Sequence, residues 1–391
     1  MAFFYESYIG QTILCNPDLP NRVQDHRREQ VMSKTIVAVI GCGTIANNAH
    51  IPAYMASKDA GIKYFCDIRK ERAEKAVEQY GCGTAVEDYQ VILEDPDVVA
   101  VSICTPNNVH AQIAIDCMRA GKHVLCEKPA ARTYWEALEM QKVQHETGMT
   151  LNIGVVNRFN KGVNIIKQMI ESGELGELYH VVVSFRAHRS IPGLGGDFTT
   201  KAVAGGGALI DWGVHYLDIV MYCAGDPRPK TVTGQAYSKL GKDMQNYAYL
   251  NMWAGPPNYE GSYDVDDFVT AMIRTEGPSI SVNGAWAQNI GVEETYIDFL
   301  GDKAGIRLQY GQEFTLYSAK HGALIESTPN YPKTNAFQEE IDGFIAGIHS
   351  GEKLPSHIDT VILTAQMIEA IYQSSEESRE ISLTEAGVAQ A

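Results

Sequence analysis

From residue 35 to about residue 153, short continuous apolar runs alternate with longer segments whose apolar residues recur every three or four positions. The runs at 35–40, 62–67, 98–103, 123–126 and 150–153 predict strands, and the segments 70–80, 109–120 and 134–147 predict helices. A run such as Val98-Val-Ala-Val-Ser-Ile103 has no polar face, so it predicts a strand covered on both sides. Such strands separated by helices form the repeating unit of a parallel, doubly wound sheet.

After about Arg158 the pattern changes. A helix at 161–172 leads through Gly173-Glu-Leu-Gly176 to a strand at 179–188 and a glycine-rich stretch at 191–207. A helix at 208–224 is followed by alternating strands at 231–238, 267–274, 279–286, 295–300 and 306–310. Residues 299–305 read as a hairpin loop, and helices at 336–349 and 359–374 close the chain. The expected architecture is therefore α/β followed by α+β. An N-terminal Rossmann doubly wound domain (35–156) precedes an open, mostly antiparallel sheet with helices on one face (157–391). A length of 391 residues exceeds what one core ordinarily serves.

Residues 1–34 precede both domains. They lack the basic, apolar, small-residue order of a secretion signal, and Asp18, Asp25 and Glu29 interrupt them. Phe3, Phe4, Tyr5 and Tyr8 give the segment an aromatic tip, as expected of an arm packed on another subunit; an extension of little consequence is the other reading.

The net charge of −16 argues against nucleic acid or an anionic membrane as partner. No apolar run approaches the roughly 20 residues that a membrane span needs. The eight cysteines are scattered without a CxxC pair, which predicts free thiols in a reducing cytoplasm and no metal site.

Chemistry concentrates at the ends of the first strands. Strand 35–40 runs into Gly41-Cys-Gly43-Thr44-Ile45-Ala46, where Gly41 permits a tight turn and Gly43 lets a diphosphate approach the backbone. Asp67 ends the second strand, where a carboxylate accepts hydrogen bonds from a ribose diol and repels a 2′-phosphate. The cofactor expected is thus NAD, with Ile68 beside the ribose and Arg69 and Lys70 softening the preference. Thr105, Pro106, Asn107 and His110 follow the strand at 98–103 and are expected near the nicotinamide, unless they form a plain strand-to-helix turn. Glu127-Lys128-Pro129 follows the next strand, where Lys128 is placed to hold a substrate hydroxyl and Glu127 to orient it. In the helix at 208–224, Asp211 and His215 share a face, which suits alcohol oxidation with a base taking the O–H proton. Such a pair also serves as a cap or a buried hydrogen bond.

Together, Gly41-x-Gly43-x-x-Ala46, Asp67, Thr105-Pro106-Asn107, Glu127-Lys128-Pro129 and Asp211-x-x-x-His215 resemble the Gfo/Idh/MocA family of sugar and cyclitol oxidoreductases, in order and in spacing. The resemblance implies that Lys128, Asp211 and His215 form the catalytic group, with His215 the base and Lys128 polarising the hydroxyl, or the reverse. It also implies a homo-oligomer built through the second domain. Arg158, His188 and Arg189, with Asp211 and His215, are the expected sugar ligands. The stretch 189–196 leading to the triple glycine is similar to members that oxidise glycosides at C3. The expected activity is NAD-dependent oxidation of a secondary hydroxyl of a pyranoside; inositol oxidation or redox-neutral cleavage of a glycoside are the alternatives.

Overall fold

The computed structural model describes residues 34–311 and 313–383; the expected arm lies outside them. The first sheet contains β1 (Thr35–Ile40), β2 (Ala60–Cys66), β3 (Thr84–Val86), β4 (Ala100–Ile103), β5 (His123–Glu127) and β6 (Leu151–Gly154). Its order is β3-β2-β1-β4-β5-β6 and every pairing is parallel. The near-continuous apolar runs are covered on both faces, with β4 and β6 wholly buried.

Register explains why chemistry gathers at one edge. Cys66 pairs with Ile40, Ile40 with Ile103, Ile103 with Cys126, and Cys126 with Ile153. The next residue on each strand is Asp67, Gly41, Cys104, Glu127 or Gly154, so these five stand side by side along the carboxyl edge.

The second sheet contains β7 (Leu178–Arg186), β8 (Pro229–Tyr237), β9 (Phe268–Thr275), β10 (Ser279–Ala285), β11 (Glu294–Gly301), β12 (Ala304–Gln309), β13 (Phe314–Lys320), β14 (Ala323–Ser327) and β15 (Ile381–Ser382). Its order is β14-β13-β12-β11-β7-β10-β9-β8-β15, antiparallel except for β7 beside β10. Alternation decides its faces: Val181, Val183 and Phe185 of β7 are buried, while His180 and Val182 at the alternate positions are half-buried. The helix Val214–Cys223 covers the buried face, with the rings of Tyr216 and Phe185 5.1 Å apart. The helix Ile358–Glu377 lies along β8, where Ser374 and Ser375 accept from the N–H groups of Gly234 and Ala236.

One element crosses back. The helix Ala336–Ser350 falls within the 157–391 stretch, yet Ile341, Phe344 and Ile345 share a core with Val37, Val39 and Leu125 of the first sheet. Gln338 donates to the Ala53 carbonyl at 3.1 Å, and the Thr35 hydroxyl lies 2.7 Å from His349 Nε2. The described cysteines are all free. No helix among the described residues is long and apolar enough to cross a membrane.

Candidate active site

The turn after β1 requires glycine. Gly41 has φ +91°, and an added Cβ would stand 2.5 Å from the Cys104 carbonyl oxygen. A Cβ at Gly43 would meet nothing within 4 Å, so this side of the loop is open to a ligand. Asn47 donates to the carbonyls of Cys42 and Gly43 at 2.9 Å and fixes the loop's shape. Thr44 and Ile45 begin the helix and are at least partly exposed at its entry. Asp67 Oδ2 accepts from the Cys42 N–H at 2.9 Å and Oδ1 from the Arg69 N–H at 2.8 Å. The second strand's acid is thereby locked beside the glycine loop, with Ile68 exposed at the tip. An open glycine turn, a helix start and a fixed carboxylate together fit a dinucleotide.

The loop after β4 departs from expectation at His110. Its ring is fully buried, with Nδ1 2.9 Å from the Pro129 carbonyl oxygen and Nε2 2.9 Å from that of Thr105. It braces the loops after β4 and β5 against each other rather than facing the cofactor, and burial lowers its pKa. Asn107 reaches out of the loop to donate to the Ala204 carbonyl at 2.9 Å. Thr105 Oγ1 is buried with no hydrogen-bond partner among the described residues.

Glu127, also expected at the cofactor, is committed inward. Its Oε1 lies 2.9 Å from His50 Nε2, and Oε2 accepts from the Lys128 N–H at 3.0 Å. Lys128 Nζ then donates at 3.2 Å to both Oδ1 and the backbone oxygen of Asp211.

The helix bearing Asp211 begins with a π turn, Leu209–Gly213, and continues as Val214–Cys223. Asp266 anchors its start: its carboxylate accepts from the N–H groups of Gly207 at 2.7 Å and Leu209 at 2.9 Å. A carboxylate suits those free N–H groups and the positive end of the helix dipole. His215 lies behind Asp211, buried, with neither ring nitrogen hydrogen-bonded among the described residues. Burial, then the charge of Lys128, holds its pKa well below the usual 6.5, so the imidazole is neutral and free to accept a proton. Asp211 Oδ2 is also buried without a partner among the described residues. The Tyr310 ring lies 6.3 Å from that of His215, and its hydroxyl accepts from Asn157 Nδ2 at 3.3 Å.

Arg158 is not a sugar ligand. It is 1% exposed, and its Nε and Nη2 donate to Asp218 Oδ2 and Oδ1 at 2.9 and 2.8 Å, while Nη1 donates to the Pro355 carbonyl. His188 is exposed. Arg189 donates to the carbonyls of His188 and Gln288 and to Asn289 Oδ1, and lies over the Tyr247 ring. No hydrogen bond joins either residue to Lys128, Asp211 or His215 among the described residues.

Sequence reading alone missed Tyr310, Asp266 and His50. Signals existed for two of them: Tyr310 closes a predicted strand, and Asp266-Asp267 places two acids at a strand start.

Two family models match the chain. An oxidoreductase family with an NAD-binding Rossmann fold covers residues 36–155, and a GFO/IDH/MocA C-terminal domain covers residues 163–307. D-glucoside 3-dehydrogenase of Escherichia coli (strain K12) is 30% identical over 354 residues, 89% of this chain and 97% of its own length. Levoglucosan dehydrogenase of Pseudarthrobacter phenanthrenivorans is 30% identical over 246 residues, 61% of each chain. A solved levoglucosan dehydrogenase in complex with NADH and levoglucosan shares the fold, with a TM-score of 0.78 and 22% identity over 92% of this chain and all of that one.

Proposed function

The chain belongs to the Gfo/Idh/MocA family of NAD-binding oxidoreductases, and from that premise we propose that it oxidises a secondary hydroxyl, at C3, of a pyranoside. One observation carries the reading. His215 Nδ1 and Nε2 and Asp211 Oδ2 are all buried without partners among the described residues, on a helix that the Lys128 ammonium reaches. Buried polar groups are ordinarily paired, and a sugar's vicinal hydroxyls match this set.

NAD⁺, when bound at the glycine loop, supplies the hydride acceptor. The Lys128 ammonium donates a hydrogen bond to the reacting oxygen and stabilises the negative charge that grows on it. Neutral His215 takes the O–H proton as the C–H bond breaks and the carbon becomes a carbonyl. Asp211 accepts from the neighbouring hydroxyl through its free oxygen and holds Lys128 through the other. Support for C3 comes from the likeness to D-glucoside 3-dehydrogenase along nearly all of that enzyme's length. The reading includes a homo-oligomer, because Tyr237, Met272 and Tyr317 are exposed and the register places them on one face of the second sheet. Light scattering showing a monomer would remove that part.

The test is absorbance at the NADH band with NAD⁺ and a panel of glucosides, anhydrosugars and inositols, following aglycone release in the same wells. Net NADH with glycosides, lost in Lys128→Ala and in His215→Ala, is expected. NADH with inositols alone would transfer the same residues to a cyclitol. Aglycone release without net NADH would make the enzyme redox-neutral.

A further inference from the structure

Residues 44–56 form one helix leaving the glycine loop, and its segment Ala46–His50 is a π turn. A π turn admits one extra residue, and such turns concentrate at functional sites. Here the turn ends in a histidine that points inward. His50 is 1% exposed, with Nε2 2.9 Å from Glu127 Oε1 and Nδ1 3.2 Å from Ser102 Oγ. Ser102 Oγ in turn lies 2.8 Å from the Tyr54 hydroxyl. Gly154 packs against Glu127: an added Cβ there would stand 3.2 Å from its carboxyl carbon. Burial works against a charged His50, but the Glu127 carboxylate hydrogen-bonded to it favours the charged form. The contact to Glu127 is then a charge-assisted hydrogen bond, stronger than a neutral one.

We propose that His50 is a positioning residue that acts through Glu127 to fix the Lys128 backbone, and so aims the ammonium at Asp211. The inference rests on the catalytic role proposed for Lys128. It joins two parts of the site through one rigid element. The helix that starts at the open face of Gly43 also carries, six residues after Thr44, the clamp for the lysine.

The test combines His50→Ala and His50→Gln with Lys128→Ala in the full chain. His50→Ala is expected to lower kcat on the order of 100-fold, as a misplaced catalytic group does, while the Kd for NAD⁺ stays near native. His50→Gln, whose amide can still donate to Glu127, should recover part of the loss. In a Lys128→Ala background, His50→Ala should cost nothing more, because residues acting as a unit are not additive. Imidazole ¹⁵N NMR gives a readout independent of turnover: the native His50 ring is expected to carry both protons, and to lose one in Glu127→Gln. Native kcat in His50→Ala would overturn the inference, as would an additive loss in the double variant. A parallel fall of NAD⁺ affinity and melting temperature without rescue by glutamine would also overturn it. A fully active Lys128→Ala would instead overturn the catalytic group itself.

Discussion

Lys128 Nζ stands 3.2 Å from both the carboxylate and the backbone oxygen of Asp211. This contact ties the carboxyl edge of the first sheet to the helix that covers the second. The two residues are 83 positions apart, so it is purely tertiary. With His215 one turn behind Asp211, the ammonium and a neutral base share one buried site.

That arrangement fixes a pH dependence. The pKa of His215 is held well below 6.5 by burial and then by Lys128. The base is therefore already deprotonated through the neutral range, and protonation stops it only when the pH falls well below 6.5. We expect kcat/KM to stay level through pH 6.5, with any imidazole limb well to the acid side. A limb centred at 6.5 would show that His215 is not the base. His215→Ala should reduce kcat by about 10²- to 10⁴-fold, the usual contribution of a general base.

Asp67 is expected to set the cofactor preference. Its two oxygens are positioned by Cys42 and Arg69, leaving lone pairs for a ribose diol. Asp67→Ala should weaken NAD⁺ and narrow its advantage over NADP⁺, measured as the ratio of kcat/KM values. An unchanged ratio would mean that the carboxylate only ties the loop.

Arg158 should matter for stability rather than for substrate. Both it and Asp218 are buried, and removing one partner of such a pair costs about 3–5 kcal/mol. Arg158→Met is therefore expected to lower the melting temperature sharply, while the folded fraction keeps a native KM for the sugar. Replacing Asp218 by leucine as well should return part of the stability. A raised KM with native melting would restore Arg158 to the substrate.

Glu340 supplies a second linkage. It is fully buried, neither oxygen has a partner among the described residues, and burial followed by the charges of Glu127 and Asp218 raises its pKa well above 4.5. A raised carboxyl pKa gives stability that is complete below the unfolded value and lost as pH rises towards the folded one. Glu340→Gln, neutral at every pH, should therefore gain on the native protein as pH rises from the unfolded value of 4.5 towards the raised folded one. Chemical unfolding at several pH values measures the difference; a constant difference would show that Glu340 is ionised in the fold.

Much of this was legible in the chain because local signals were strong. The helices Lys70–Tyr80 and Tyr134–Thr147 fall on the predicted residues. The first ends at Gly81 with φ +64°, and the second begins at Thr133, whose hydroxyl accepts from the Glu136 N–H. The hairpin β13–β14 was not legible: it is largely exposed, so no apolar alternation marks it. Nor were the π turns at Ala46–His50 and Leu209–Gly213, since a helical period cannot report one extra residue. The roles of His110 and Arg158 were misread for a different reason. Polar residues near a strand end look alike in sequence whether they face a ligand or a carbonyl, and Asp218 lies 60 positions from Arg158.

The return of the helix Ala336–Ser350 to the first sheet has a consequence for how the chain is made. Val37, Val39 and Leu125 belong to one core with Ile341, Phe344 and Ile345, so a ribosome that has finished β6 has not yet made the rest of that core. At about 5–20 residues per second, the missing helix arrives roughly 10–40 s later. Through that interval the nascent nucleotide-binding half presents an apolar surface that later sequence must close. Chains arrested near residue 330 should therefore recruit chaperones and aggregate, although every strand of their first sheet is already present.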